Sequence, residues 1–275
     1  MIDTRPFFRP LAEQFGAILR RLPAHAWDLP TSAGSWTVRD ILAHMVDGMM
    51  RRLSFDRDRL PPPPPPRPIA GERDFVAFVN ELNREWVALA RRFSPRLLTD
   101  LHASVSLDLA SFLEQAPLDA PALFGVSWAG ETESRAWLDI GREFTEQWHH
   151  QAQIRDAVGA PAPSNPEWLR AVIAIAMRGL PHAYRNVDAA SGDAVTLEIT
   201  GASGGMWTLQ HDGGRWQLAA GTTAGLPAAR AVMSDDTAWR LFFNGLGAGA
   251  AEERVELTGA AALTAPLLRA RSVIV

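Results

Sequence analysis

The chain of 275 residues contains no cysteine. Disulfides, thiolate metal sites and a cysteine nucleophile are therefore excluded, and any sulfur chemistry must use a borrowed thiol. Lysine is absent too: all 27 basic residues are arginine. With heavy use of alanine and proline, this reads as coding bias and carries no functional meaning. A net charge of only −4 gives neither the basic surface of a nucleic-acid binder nor an acidic tail. Long apolar runs are missing, and none nears the roughly 20 residues that cross a bilayer. The first ten residues include Asp3 and no apolar h-region. They do not read as a signal peptide, so a cytoplasmic location is the expectation.

Hydrophobic residues make up 47% of the chain, enough for a substantial core. The length exceeds the usual single-domain size and favours two domains. The first half is patterned for helices. Phe7, Leu11, Phe15, Ile18, Leu19 and Leu22 recur at helical spacing over residues 6–22. Thr37 reads as an N-cap with Asp40 three residues on, an imperfect capping box opening a helix to about residue 56. Pro61 to Pro66 end it as a stiff surface spacer. Further helices are predicted over 73–93, 96–115, 133–158 and 166–186, the last interrupted near Pro181.

The pattern then alternates. Ala194–Thr200, Met206–Gln210, Arg215–Ala219, Ala229–Met233 and Arg254–Thr258 read as strands, and Thr237–Asn244 and Ala261–Leu268 as helices. Gly201, Gly204–Gly205 and Gly213–Gly214 mark turns. They are not phosphate loops, because no helix with Lys or Ser/Thr follows. The fold class expected is α plus α+β: an N-terminal helical bundle over residues 1–188 and a smaller C-terminal α+β domain over 189–275.

Among the seven histidines, His44 lies on the second helix with Ile41 and Gly48 on its face, so its ring points inward with room beside it. Glu146 and His150 stand at i and i+4, which stacks them on one face, and Gln153 continues that stripe. Two imidazoles and a carboxylate from facing helices can hold one divalent ion with coordination positions left open. Zn2+ is the expected ion, with Ni2+ or Fe2+ as alternatives. From spacing alone, Glu146 and His150 read more readily as a weak surface pair than as ligands. His149 points some 100° away and reads as a neighbour. His25, His102, His182 and His211 are placed in loops or at helix ends. Trp36, Trp86, Trp128 and Trp148 read first as core anchors, Trp207 and Trp216 as residues of paired strands packing on a helix, and Arg39 and Asp40 as a cap and a surface pair before residues near the site's mouth. No nucleophilic triad is evident.

The stretch Trp27-Asp28-Leu29-Pro30-Thr31, with Ser35-Trp36-Thr37-Val38-Arg39-Asp40-Ile41-Leu42-Ala43-His44, resembles one signature of the DinB-like, mycothiol-dependent maleylpyruvate isomerase superfamily. Glu146-Gln147-Trp148-His149-His150-Gln151-Ala152-Gln153-Ile154-Arg155-Asp156-Ala157-Val158-Gly159 resembles the second. The resemblance implies a DinB-like four-helix bundle with His44, Glu146 and His150 as metal ligands. It also implies a C-terminal domain related to sterol-carrier-type folds. Two positions depart from the family. Gln153 stands where an Asp is common, and an amide orients a ligating imidazole less strongly than a carboxylate. The family isomerase also uses an Arg from its C-terminal domain; here Arg240 and Arg230 are the substitutes available.

The function implied is metal-dependent use of a low-molecular-weight thiol, mycothiol or a similar one, for isomerase or S-transferase chemistry on a small electrophile. The alternatives are a metal-dependent hydrolase and a non-enzymatic metal-containing or small-ligand-binding protein. The partners expected are the substrate and the thiol, with no nucleic acid and no membrane, in a monomer or homodimer.

Overall fold

The computed structural model describes residues 1–163, 165–221, 226–243 and 245–273. They form two compact units: Met1–Leu123 with Arg135–Ser164, and Phe124–Ser134 with Asn165–Val275. The chain therefore leaves the first unit for eleven residues and returns to it.

The first unit is helical. It holds α1 (Phe8–Leu19), α2 (Val38–Arg52), α3 (Glu72–Ala90), α4 (Pro95–Glu114) and α5 (Ala136–Ala157). Helix α2 packs on α3, α4 and α5, and α1 packs on α4 and α5. The core is drawn from the apolar stripes of these helices: Leu11, Phe15 and Leu19, then Ile41, Leu42 and Met49, then Leu109 and Leu113, then Phe144 and Trp148. Each is nearly inaccessible to solvent, the burial that drives helix association in water.

Helix α2 starts where its cap places it. Thr37 Oγ1 accepts from the Asp40 backbone N–H, and the Asp40 carboxylate accepts from the Thr37 N–H. The capping box is thus complete, although Asp at the third position is the shorter acid. Arg91 grips the same carboxylate through two nitrogens at 3.0 Å. Its last turn widens into a π-helical segment, Leu53–Arg57, before the proline tract.

The second unit is α+β. Helices α6 (Pro166–Ala176) and α7 (Leu180–Ala183) precede β1 (Ala194–Thr200), β2 (Gly205–Asp212), β3 (Arg215–Ala220) and β4 (Ala229–Ser234). Helices α8 (Asp235–Phe242) and α9 (Ala248–Arg254), strand β5 (Glu256–Gly259) and helix α10 (Ala261–Arg269) follow. The five strands run in the order β3-β2-β1-β4-β5. The β1–β4 pair is parallel and the other pairs are antiparallel. Gly213 and Gly214, both at positive φ, make the two-residue β2–β3 turn. Trp216 on β3 lies edge-on to Tyr184 and donates its indole N–H to the Val187 carbonyl.

Several elements differ from the sequence reading. Helices α6 and α7 pack with this sheet unit, against α8, β3 and α10, although their apolar periodicity looks like that of the bundle. Helix α9 was not anticipated, because a short Gly/Ala-rich segment has no apolar stripe to announce it. Strand β5 begins later than expected because α9 runs to Arg254. The expected helix end at Asn244 falls outside the described residues. His102 is not near a helix end: it sits in the middle of α4, 1% exposed, edge-on to Phe15. His211 lies in β2.

Candidate metal centre

Helix α5 is buried along most of its length and carries an unusual load of polar residues into the core, including Asp139, Glu143, Gln147, His149, His150, Gln151 and Gln153. Buried polar groups must find partners, so their concentration marks a site. Residues with helical spacing on α5 meet α2, whose register is set by the Thr37 cap.

There the structure brings together His44 from α2 and Glu146 and His150 from α5. Their candidate ligand atoms all lie within 4.8 Å of one another. Among the described residues this is the one group of three or more such side chains that could share an ion. The His44 and His150 rings meet at right angles, centroids 4.9 Å apart. His150 Nε2 lies 3.5 Å from Glu146 Oε2. His150 is buried, whereas His44 and Glu146 are half-buried, so the cluster has a side toward solvent. The Trp36 ring lies 5.0 Å from His44 and is itself only half-buried.

The hydrogen bonding around the trio suits a cation. Gln153 Oε1 is 2.8 Å from His150 Nδ1. An amide oxygen only accepts, so Nδ1 carries the proton. In the neutral ring, the Nε2 lone pair then faces the Glu146 carboxylate, an arrangement of two acceptors that a cation between them would satisfy. His44 Nδ1 is buried without a hydrogen-bond partner among the described residues. Donors sharing one zinc ion sit about 3–3.5 Å apart, and His150 Nε2 and Glu146 Oε2 stand at 3.5 Å.

Charge states agree with that donor chemistry. Burial pushes the His44 imidazole down to about 3, reinforced by His150, so the ring is neutral at ordinary pH. Burial alone would raise the Glu146 carboxyl. Hydrogen bonding to His150, the neighbouring imidazoles and Arg142 outweigh it and hold the group ionised. Burial also takes His149 down to about 3. Its Nδ1 bonds the Thr145 carbonyl at 2.8 Å, outside the trio.

Residues 8–155 match the model of the mycothiol maleylpyruvate isomerase N-terminal domain, more than half of the chain. The chain belongs to this family. Over 212 residues it is 25% identical to uncharacterized proteins from two Mycobacterium tuberculosis strains, CDC 1551 / Oshkosh and ATCC 25618 / H37Rv, covering 76% of this chain and 78% of each relative. The fold is shared with crystal structures of the mycothiol-dependent maleylpyruvate isomerase and of its histidine-to-alanine mutant. In both, TM-score is 0.54 at 14% identity, covering 92% of this chain and 91% of the other.

Neither C-terminal arginine considered as a stand-in for the family's Arg has an unengaged guanidinium. Arg230 Nη2 donates to Glu198 at 2.5 Å across the β1–β4 pair. Arg240 pairs with Asp236 at 3.0 Å and stacks 4.4 Å over Trp239. Sequence reasoning overlooked Arg142, one turn before Glu146, which bonds Asp139 at 2.9 Å and approaches Glu143 at 3.6 Å. Its i−4 spacing from Glu146 was the available signal. Trp36 was read as a core anchor; its contact with His44 depends on how a loop folds back, which periodicity does not report.

Proposed function

We propose that the protein is a metal-dependent enzyme using mycothiol, or a thiol like it, for isomerase or S-transferase chemistry on a small electrophile. The observation that carries this reading is the convergence of His44, Glu146 and His150 within 4.8 Å, in a chain of the mycothiol maleylpyruvate isomerase N-terminal domain family. Two imidazoles and one carboxylate favour Zn2+, with Ni2+ and Fe2+ as the alternatives. When bound, the ion supplies Lewis acidity that favours the thiolate form of a thiol at its open position. The absence of cysteine fits a protein whose sulfur arrives with its cofactor.

The side chains have separable duties. Glu146 supplies the negative charge that selects a cation. Gln153 holds the His150 ring so that Nε2, not Nδ1, faces Glu146. His44 stays neutral and keeps its lone pair available. Trp36 packs its ring against His44, centroids 5.0 Å apart.

Metal analysis of the purified protein beside His150→Ala tests the site. We expect near-stoichiometric metal in the wild type and little in the variant; equal content in both sinks the ligand assignment. A thiol-transfer and cis–trans isomerisation assay with and without mycothiol tests the chemistry. Turnover unaffected by the thiol would remove the reading.

A further inference from the structure

Away from the trio, the first unit holds a cavity of about 410 Å³ that the proposed chemistry does not use. Its walls are the end of α2, the end of α4, the linker after it and the start of α5. None of His44, Glu146 and His150 lines it. Arg52, on its wall, stands about two turns past His44, roughly 12 Å along a helix.

The volume falls among those that hold small molecules, roughly 300–1,000 Å³. Phe112, Pro117, Ala120, Leu123 and Ile140 make most of the wall apolar. Arg52, Asp56 and Arg59 supply its charged side chains. An apolar lining with a few charges gathered in one place suits a molecule with an apolar body and one polar end.

The sign of that end follows from the pairing. Arg52 is buried and engaged, with Asp139 at 2.5 Å and Asp56 at 3.1 Å. It fixes Asp56 and has little to offer a ligand. Arg59 is 78% exposed, and its ion-pair partner among the described residues is Asp56 at 3.7 Å, beyond ordinary hydrogen-bond reach. With Asp56 already held by Arg52, the Arg59 guanidinium is the spare charge of the lining.

The backbone keeps that guanidinium at the rim. Helix α2 ends in the π-helical turn Leu53–Arg57, a distortion frequent at functional sites. The N–H groups of Asp58 and Leu60 close on the Leu53 and Ser54 carbonyls, both at 2.9 Å. Between them, Arg59 is the one non-glycine residue at positive φ, 60°, among the described residues. A helix end of this kind ordinarily takes glycine or asparagine, and an arginine there is strained. Cavity, spare cation and strained backbone therefore coincide.

We propose that this cavity is a second ligand site, independent of the metal, and that it takes a small apolar monocarboxylate, with the carboxylate on Arg59 and the hydrocarbon against Phe112, Leu123 and Ile140.

Octanoate is the probe, titrated by calorimetry into the intact protein. Octanol and octylamine run beside it, keeping the chain while removing or reversing the charge. Wild type should bind octanoate saturably and neither analogue comparably. Arg59→Asn removes the guanidinium but suits the left-handed backbone. Its melting temperature should hold or rise while octanoate binding weakens about fivefold or more. Arg59→Lys should recover part of that loss. Ala120→Phe should abolish binding by filling the cavity, with a native circular dichroism spectrum. His150→Ala, which removes a candidate metal ligand, should bind octanoate as wild type does. Absence of saturable binding by wild type overturns the proposal, as does unchanged binding by Arg59→Asn or by folded Ala120→Phe. Octanol or octylamine binding as tightly as octanoate overturns it too. Loss of octanoate binding in His150→Ala would place the probe at the metal and end the proposal as well.

Discussion

Arg52 on α2 and Asp139 on α5 form a buried ion pair, Nη1 to Oδ2 at 2.5 Å, with Asp139 wholly inaccessible to solvent. Burial opposes ionisation of Asp139, but Arg142 and Arg52 outweigh it and keep the carboxyl below its usual range. The pair joins the two helices that carry the trio. Asp139→Asn would leave the buried Arg52 and the partly exposed Arg142 without this carboxylate. Because Arg52 keeps Asp56 at 3.1 Å and Arg142 keeps Glu143 at 3.6 Å, a loss of about 2–3 kcal/mol is expected, below that of a fully uncompensated buried charge, read as a drop in denaturant midpoint at neutral pH. A change under about 1 kcal/mol would show that the pair is energetically idle.

The Gln153 amide should matter to metal affinity through His150 rather than by contact. Gln153→Leu removes the acceptor for Nδ1–H and should weaken metal binding about 10- to 100-fold in chelator competition. Gln153→Asp, with a stronger acceptor, should tighten it. Indistinguishable affinities across the three proteins would show that this bond does not orient the ring.

His102 gives a pH signature away from the trio. Burial pushes it from the ordinary 6.5 down to about 4, and both ring nitrogens lack partners among the described residues. The folded state therefore binds its proton less readily than the unfolded chain. The stability at stake is complete above about pH 6.5 and is lost as pH falls toward about 4, up to roughly 3 kcal/mol. His102→Leu should flatten that part of the stability–pH curve and cost little at pH 7, since no hydrogen bond is broken. An unchanged slope in the variant would place the acid sensitivity elsewhere.

Tyr184 tests the second unit. Its hydroxyl donates to the Leu263 carbonyl at 2.6 Å, linking α7 to α10, and burial raises its titration well above the usual range. Tyr184→Phe should lower stability by about 1–2 kcal/mol while leaving metal content alone. Loss of metal would reveal coupling that the fold does not require.

What the sequence discloses depends on whether a residue acts through its neighbours in sequence or through distant ones. Periodicity marked α1 to α5, and β4 buries alternate residues as a strand with one covered face does, whereas β1 is buried on both faces. The Glu146/His150 pair was legible from spacing, and the signature around His44 supplied its partner. His102 was misplaced because Leu98, Leu109 and Leu113 carry the apolar stripe of α4 while a lone histidine gives no sign of burial. Arg51 and Arg142 were invisible as anything but surface charge, since their meaning lies in Asn83 and Asp139 on other turns or helices. Likewise, nothing local to α6 says that its apolar face meets α8.

The excursion through Phe124–Ser134 has a consequence for how the protein is made. The ligand-bearing helices lie about a hundred residues apart in sequence, and α5 can dock only after the polypeptide has departed and come back. Closing so long a loop costs chain entropy, which the packing of α3 and α4 on α2 lessens. An ion shared by His44 and the α5 pair would act as a clasp on that return, adding its binding free energy to the folded state. Starved of its ion, the protein would then lose abundance as well as turnover, and excising residues 165–275 would strand the eleven-residue segment Phe124–Ser134 without the rest of its unit.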